Sequence, residues 1–304
     1  MRVSKISGQM AGTHTFHKQR EANMRRVLHS ITLIACAVVV LAGSLSAQSV
    51  YTRPITDNEV VLEFFKPSYK STSSFSSTPS GFVAGLMGRV QLTDQLHLLF
   101  ELPYAQGKFE FSSPFFSISE NQTTLGNIYS GIEIQAKTDL VFVDVGVRFP
   151  TTSESASWAS SVAIASDVDR YEAFVPHLLA FNGIVNVAMK TESGFTAHLR
   201  AGPTLWVNTK TSSGGSDDTE WLLGYSALAG FQNESVVVKA GYSGRMILTE
   251  TGPVENRSFH QIGATLGVRL GIIRPMVHAK LPLDKNLKQM LEMVYGFALA
   301  IEFN

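Results

Sequence analysis

Charged and imidazole side chains recur at every second position inside apolar stretches of this 304-residue chain. "QLHLLFELPY" carries His97 and Glu101, "LVFVDVGVRF" carries Asp144 and Arg148, and "FTAHLRAGPTLWVN" carries His198 and Arg200. On an extended backbone, residues two or four apart share a face, so each stretch gathers its ionisable groups on one side. The same projection adds the bases Arg89, Lys239, Arg245, Arg269, Arg274 and Lys280, the acids Glu63, Glu133 and Glu302, and His278. Such a face has two chemical uses. A surplus of bases favours anionic solutes in a narrow passage, whereas cross-strand pairs of opposite charge stiffen a filled interior. Asp144 and Arg148 suit the second use as well as the first.

Catalysis is the weaker expectation. Some hydrolases and acyltransferases use a His/Ser pair, and His177 and His198 are the candidate histidines here, but no G-x-S-x-G signature accompanies them. Residues 48–304 hold no H-x-x-x-H spacing and no cysteine. The expectation is no enzyme activity, no catalytic residue, no metal and no cofactor.

The elements that must position these residues begin after a leader. From Met24 the chain reads "MRRVLHSITLIACAVVVLAGSLSAQ": paired arginines, an apolar run, then small residues ending at Ala47. That is the pattern of a secretory signal peptide, with Met24 the expected start, cleavage expected after Ala47, and a single barrel domain over 48–304. The run from Ile31 to Gly43 is shorter than the roughly 20 residues of a spanning helix. The single cysteine, Cys36, lies in this leader, so the remainder has no disulfide or thiol chemistry. Six of the 25 Lys and Arg residues precede residue 48, against Glu21 alone among the acids. The rest is mildly acidic and offers no nucleic-acid surface.

Alternation of period two recurs through that remainder. About twelve segments show it, near 58–66, 81–92, 95–104, 124–136, 139–149, 171–190, 194–208, 220–231, 235–248, 258–270, 272–282 and 293–303. The segment 171–190 is irregular, with Pro176 inside it and a slip at Asn182-Gly183. Long and short links take turns between the segments. Long ones fall near 67–80, 105–123, 150–170, 209–219, 249–257 and 283–292; short ones include Thr93-Asp94, Lys137-Thr138 and Gly271-Ile272. Outer-membrane barrels have this layout, with tight periplasmic turns at one end and longer extracellular loops at the other.

The last strand shows the same design. In "VYGFALAIEFN", Tyr295, Phe297, Leu299, Ile301 and Phe303 would face lipid, and Val294, Gly296, Ala298, Ala300 and Glu302 would face inward. Its near-terminal Phe303 resembles the aromatic-ended closing strand that barrel-assembly machinery reads. Tyr69, Tyr104, Phe149, Phe195, Trp221, Phe231 and Tyr295 fit an interfacial aromatic girdle.

At "LLFELPYAQGKF", "TTLGNIYSGIEIQ" and "VGVRFPT" the chain resembles the porin-like outer-membrane transporters named for the meta-pathway of phenol degradation. That family's pattern has a Leu-Pro strand end, a Gly-Leu-Gly-Asp type turn and a strand closing on Pro-Thr. Leu102-Pro103 and Pro150-Thr151 match, as does the style of "KLPL" at 280–283. Thr124-Leu125-Gly126-Asn127 departs, with Thr124 for glycine and Asn127 for the acid. The resemblance implies small, often aromatic or hydrophobic solutes.

The expectation is an all-β, antiparallel up-and-down barrel in the outer membrane of a Gram-negative bacterium. Its partners would be outer-membrane lipid, a small solute and the assembly machinery. Twelve strands lie between a side-chain-filled barrel and an open aqueous channel, which favours a narrow or gated pore. The competing expectation is a closed structural or adhesive barrel that binds partners through the loops Ser153–Arg170 and Ser212–Glu220.

Overall fold

The alternating segments form thirteen hydrogen-bonded strands in a computed structural model that describes residues 58–70, 77–112, 115–136, 140–210 and 219–303. They are β1 (Asn58–Tyr69), β2 (Ser77–Thr93), β3 (Leu96–Ser112), β4 (Ser117–Leu125), β5 (Ile128–Gln135), β6 (Val141–Phe149), β7 (Leu178–Lys190), β8 (Phe195–Asn208), β9 (Thr219–Gln232), β10 (Val236–Ile247), β11 (Ser258–Val268), β12 (Ile273–Pro282) and β13 (Leu291–Phe303). β4 and β5 both pair with β3, along successive lengths of it, so they are one barrel strand broken at Gly126-Asn127. Every pairing is antiparallel, and β1 binds both β2 and β13. The result is a closed barrel of 12 strands. The expected leader, 1–47, lies outside the described residues.

Side-chain burial alternates as the pattern requires. In β6, Phe142, Asp144, Gly146 and Arg148 are buried, while Val141, Val143, Val145 and Val147 lie on the partly exposed outer face. In β13, Tyr295, Phe297, Ile301 and Phe303 are exposed and Val294, Ala298 and Ala300 are buried. A soluble protein would hide that apolar face against another layer. Here it is outermost, with Leu62, Phe64, Leu199, Leu266 and Val277 adding to it, as suits a wall bathed in lipid. No helix among the described residues is long and apolar enough to cross a membrane; the crossing is made by strands.

Short turns join β2 to β3, β7 to β8, β9 to β10 and β11 to β12, and long links alternate with them. Four details depart from the sequence reading. The links at 67–80 and 105–123 are shorter than expected, because β2, β3 and β4 run on into them. The segment 171–190 is a strand only from Leu178; the residues before it form a 3-10 segment, Val168–Phe174, because Pro176 and the positive φ of His177 (58°) break the extended path. Tyr69 points inward and packs against an internal apolar cluster instead of joining the girdle. Lastly, the 150–170 link is no extracellular arm, since it turns into the barrel; of the loop Ser212–Glu220, residues 212–218 lie outside the described residues.

Candidate functional site

The inward-turned segment between β6 and β7 is the centre of the site. It contains helix α1 (Ser157–Ser166) and the 3-10 segment Val168–Phe174. The stretch "SWASSVAIAS" favours a helix through its alanines, and Ala159, Val162 and Ala163 fall on one turn-spaced stripe. That stripe is buried. Ala156, Ala159, Ala163, Ala173 and Phe174 form one apolar cluster with the wall residues Phe65, Val83, Ala105, Leu291 and Val294. Trp158 stacks on Phe109 of β3, ring centroids 4.3 Å apart. The wall must offer a shallow surface for so close an approach: a Cβ on Gly107 would collide with the backbone of Trp158.

Below the helix the segment brings its own charges into the lumen. Arg170, 4 % exposed, reaches Glu63 of β1 (Nη2–Oε2 3.1 Å), Glu101 of β3 (Nη1–Oε1 3.2 Å) and the neighbouring Asp167. Asp167 also accepts from Lys280 of β12 at 2.8 Å. Glu172 pairs with Arg245 of β10 and lies 3.9 Å from Arg148 Nε, while Arg148 itself meets Glu101 at 2.6 Å. Gln261 of β11 donates to Asp169 Oδ2 at 2.7 Å. Six strands around the barrel thus hold one segment.

Electrostatics follow from burial and neighbours. Burial opposes ionisation of Asp167, but Arg170 and Lys280 overcome it and hold its carboxyl down at about 2. Glu172 behaves alike: burial acts against its charge, and Arg245 and Arg148 prevail to lower it. Asp169 is pushed up by burial and by the charge of Asp167, with Lys280 opposing. Desolvated ions of this kind persist only with partners, and removing one partner leaves the others exposed to the full cost.

Two further layers lie deeper in the wall. Arg89 makes a 2.7 Å pair with Glu133, and His97 Nδ1 is 3.5 Å from the same carboxylate; Asn186 donates to Asp144 at 3.0 Å and faces His198 Nε2 at 3.1 Å. Towards the short turns, Arg274 joins Glu59 and Glu302, and Arg269 reaches Glu302 at 2.8 Å. Arg89, His97, Glu101, Glu133, Asp144, Arg148, His198, Arg200, Lys239, Arg245, Arg274 and His278 are all buried on the inner side. Arg269 and Glu302 are only partly buried at the rim. Between Asp169, Arg200 and Arg245 the remaining void is about 20 Å³, space for about one water.

Sequence reasoning missed Glu59 and the whole acidic contribution of the plug: Asp167, Asp169 and Glu172. These offset the surplus of bases counted on the wall. The pattern could have included Glu59, since it precedes Val61 and Glu63 on the same face of β1; the plug residues have no period to betray them. His177 meets Glu154 on an exposed loop (3.1 Å), and the burial of Lys210 beside that same acid is slight. Among the described residues no group of His, Cys, Asp and Glu could hold a metal.

The plug is anchored where the short family-like motifs meet. Asn127 Nδ2 donates to the carbonyls of Glu172 (2.8 Å) and Val175 (2.7 Å), and its Oδ1 accepts from Thr152 N at 2.9 Å. Gly126 N donates to Pro103 O at 2.8 Å, and Thr151 Oγ1 donates to Gly126 O at 2.5 Å. A Cβ on Gly126 would lie 2.5 Å from Ala173 O, so the plug passes where only glycine leaves room. The β4–β5 break, Pro103 and Thr151 form one clamp, although Pro103 lies within β3 and not at the strand end that the Leu-Pro motif implies.

No protein-family model matches the chain, and no curated protein matches it. Solved structures do. An outer-membrane channel from Pseudomonas putida F1 superposes with a TM-score of 0.55 at 11 % identity, covering 84 % of this chain and 99 % of that one. The NanC porin aligns over 81 % of this chain and 100 % of its own, at 7 % identity and a TM-score of 0.46. The NalP translocator domain from Neisseria meningitidis covers 93 % and 98 %, at 13 % identity and 0.44. The first of these likenesses, at 11 % identity, is one of fold, and with the apolar exterior it makes this protein an outer-membrane β-barrel.

Proposed function

We propose that the protein is a porin-like channel whose passage opens when the segment 150–177 leaves the lumen. The observation that carries this reading is the nature of the seal. A barrel meant to stay shut can be filled by large wall side chains; this one is closed by a separate length of chain, latched through Arg170, Asp167, Asp169 and Glu172 to six strands. Such contacts are polar and can be exchanged for water when the segment moves out. The ionisable wall residues named above would then line the path, with bases and acids on facing strands.

Solute class rests on two supports. The resemblance to the meta-pathway transporters implies small hydrophobic or aromatic molecules. The wall beneath the long loops carries an aromatic stack, Tyr171 of the plug on Trp206 of β8 at 5.4 Å and 11°, which an aromatic solute could replace in kind. The competing reading, a permanently closed structural barrel, is favoured by the small residual void near Arg200. Planar-bilayer conductance and liposome swelling of the refolded protein distinguish them: discrete current steps support the channel, and an electrically silent, correctly folded barrel supports the closed one.

A further inference from the structure

The outer wall holds a feature that lumen chemistry does not use. Ala229 of β9, Ala240 of β10, Ala264 of β11 and Ala279 of β12 sit side by side in register, all on the lipid side. Where the wall elsewhere carries Leu, Val or Phe, this row leaves a depression of about 770 Å³, bordered by Tyr242 and Ile262. That volume is in the range of ligand sites. Moving from the alanines towards the long loops, Tyr242 comes two residues above Ala240, and Gly244 two above that.

At the level of Gly244 the lipid side turns polar. Tyr225 and His260 both lie opposite Gly244. The Tyr225 hydroxyl is 2.7 Å from His260 Nε2, and His260 Nδ1 is 2.8 Å from Asp284 Oδ1. The second carboxylate oxygen of Asp284 accepts the His260 backbone N–H, so both of its oxygens are engaged. Tyr242 stacks on the His260 ring, centroids 5.7 Å apart, and thereby joins the polar cluster to the depression. Beyond Asp284 come Lys285 and Lys288, both exposed on the short helix Lys285–Met290.

We propose that this face binds one membrane lipid of the outer leaflet, an amphiphile whose phosphate headgroup carries a net negative charge. Its acyl chain fills the alanine depression. Its headgroup phosphate meets Lys285 and Lys288, beside the hydrogen-bonded Tyr225–His260–Asp284 chain. Three features point to this occupant. The depression lies on the membrane side, where hydrocarbon replaces water. Its polar end is at the long-loop rim, where a headgroup would stand. Lys285 and Lys288 there offer donors and positive charge, while the carboxylate of Asp284 is spent on His260.

The test uses the whole refolded barrel in detergent micelles, with native mass spectrometry after adding dioleoyl phosphatidylglycerol or dioleoyl phosphatidylcholine. The wild type should retain one phosphatidylglycerol, about tenfold more than phosphatidylcholine, a difference of about 1.4 kcal/mol. Ala240→Trp with Ala264→Trp, which fill the depression from the outside, should abolish retention of both lipids. Lys285→Ala with Lys288→Ala should keep chain binding and lose the headgroup preference. Heat-modifiable gel migration shows that each variant has folded. Equal retention of the two lipids, or unchanged retention in the filled variant, overturns the proposal. So does a wild-type dimer by light scattering that Ala240→Trp converts to monomer, which would make the depression a contact between copies. Conductance should be unaltered by all these changes, so the outcome is independent of the channel reading.

Discussion

Arg170→Ala removes the hub of the plug. The guanidinium serves Asp167, Glu101 and Glu63 at once, and deleting one member of a buried ion pair costs about 3–5 kcal/mol because its partner charge stays behind. Asp167 keeps Lys280 and Glu101 keeps Arg148 as another base. The lower end of that range, about 3 kcal/mol, is therefore the appropriate figure. At about 1.4 kcal/mol per factor of ten, the ratio of docked to undocked plug should fall on the order of 100-fold. The barrel wall keeps its ladders, so the refolded variant should still show heat-modifiable migration and β-type circular dichroism. Single-channel recording in planar bilayers then reads the change directly. The wild type should open rarely and Arg170→Ala roughly a hundred times more often, with Arg170→Lys between them. A folded Arg170→Ala barrel that opens as rarely as the wild type refutes the latch.

Three other outcomes follow from the same geometry. Asn127→Ala deletes three hydrogen bonds to the plug, about 1 kcal/mol each, and should speed proteolysis within 150–177 without lowering the unfolding midpoint of the barrel. Acid should release the plug late. Asp167, whose carboxyl is depressed from 3.8 to about 2, contributes its stabilisation above its unfolded value and loses it as pH falls from about 4 towards 2. Glu172 is depressed and loses its contribution in the same direction, whereas Asp169, raised by burial, is relieved when it protonates above 3.8. Current should thus stay low down to about pH 4 and rise below it; a rise already at pH 6 contradicts this assignment. Arg89→Met should act on the wall instead of the plug. It leaves Glu133 opposite Asp144 across the β5–β6 ladder, with His97 3.5 Å away, and should cost about 3–5 kcal/mol in urea unfolding with little change in opening frequency.

The sequence by itself determined the wall. Period-two alternation in "LVFVDVGVRF" or "QIGATLGVRL" assigns each side chain to lipid or lumen, because a strand turns its residues to opposite faces whatever lies beyond it. The order of long and short links then told which end carries loops. Arg89, Asp144 and Arg200 fall on one face for that reason, and they are buried. The plug was illegible because its contacts are not periodic. Arg170 is one base in a loop until the closed barrel brings Glu63 and Glu101, far apart in the chain, to the same place. Asn127 likewise reads as a degraded turn residue until the segment 172–175 passes beside it. Local backbone geometry is encoded within a few residues and can be read from them. Which loop folds inward, and which charges it satisfies, depends on desolvation and contact between distant segments, and only the closed tertiary structure decides that.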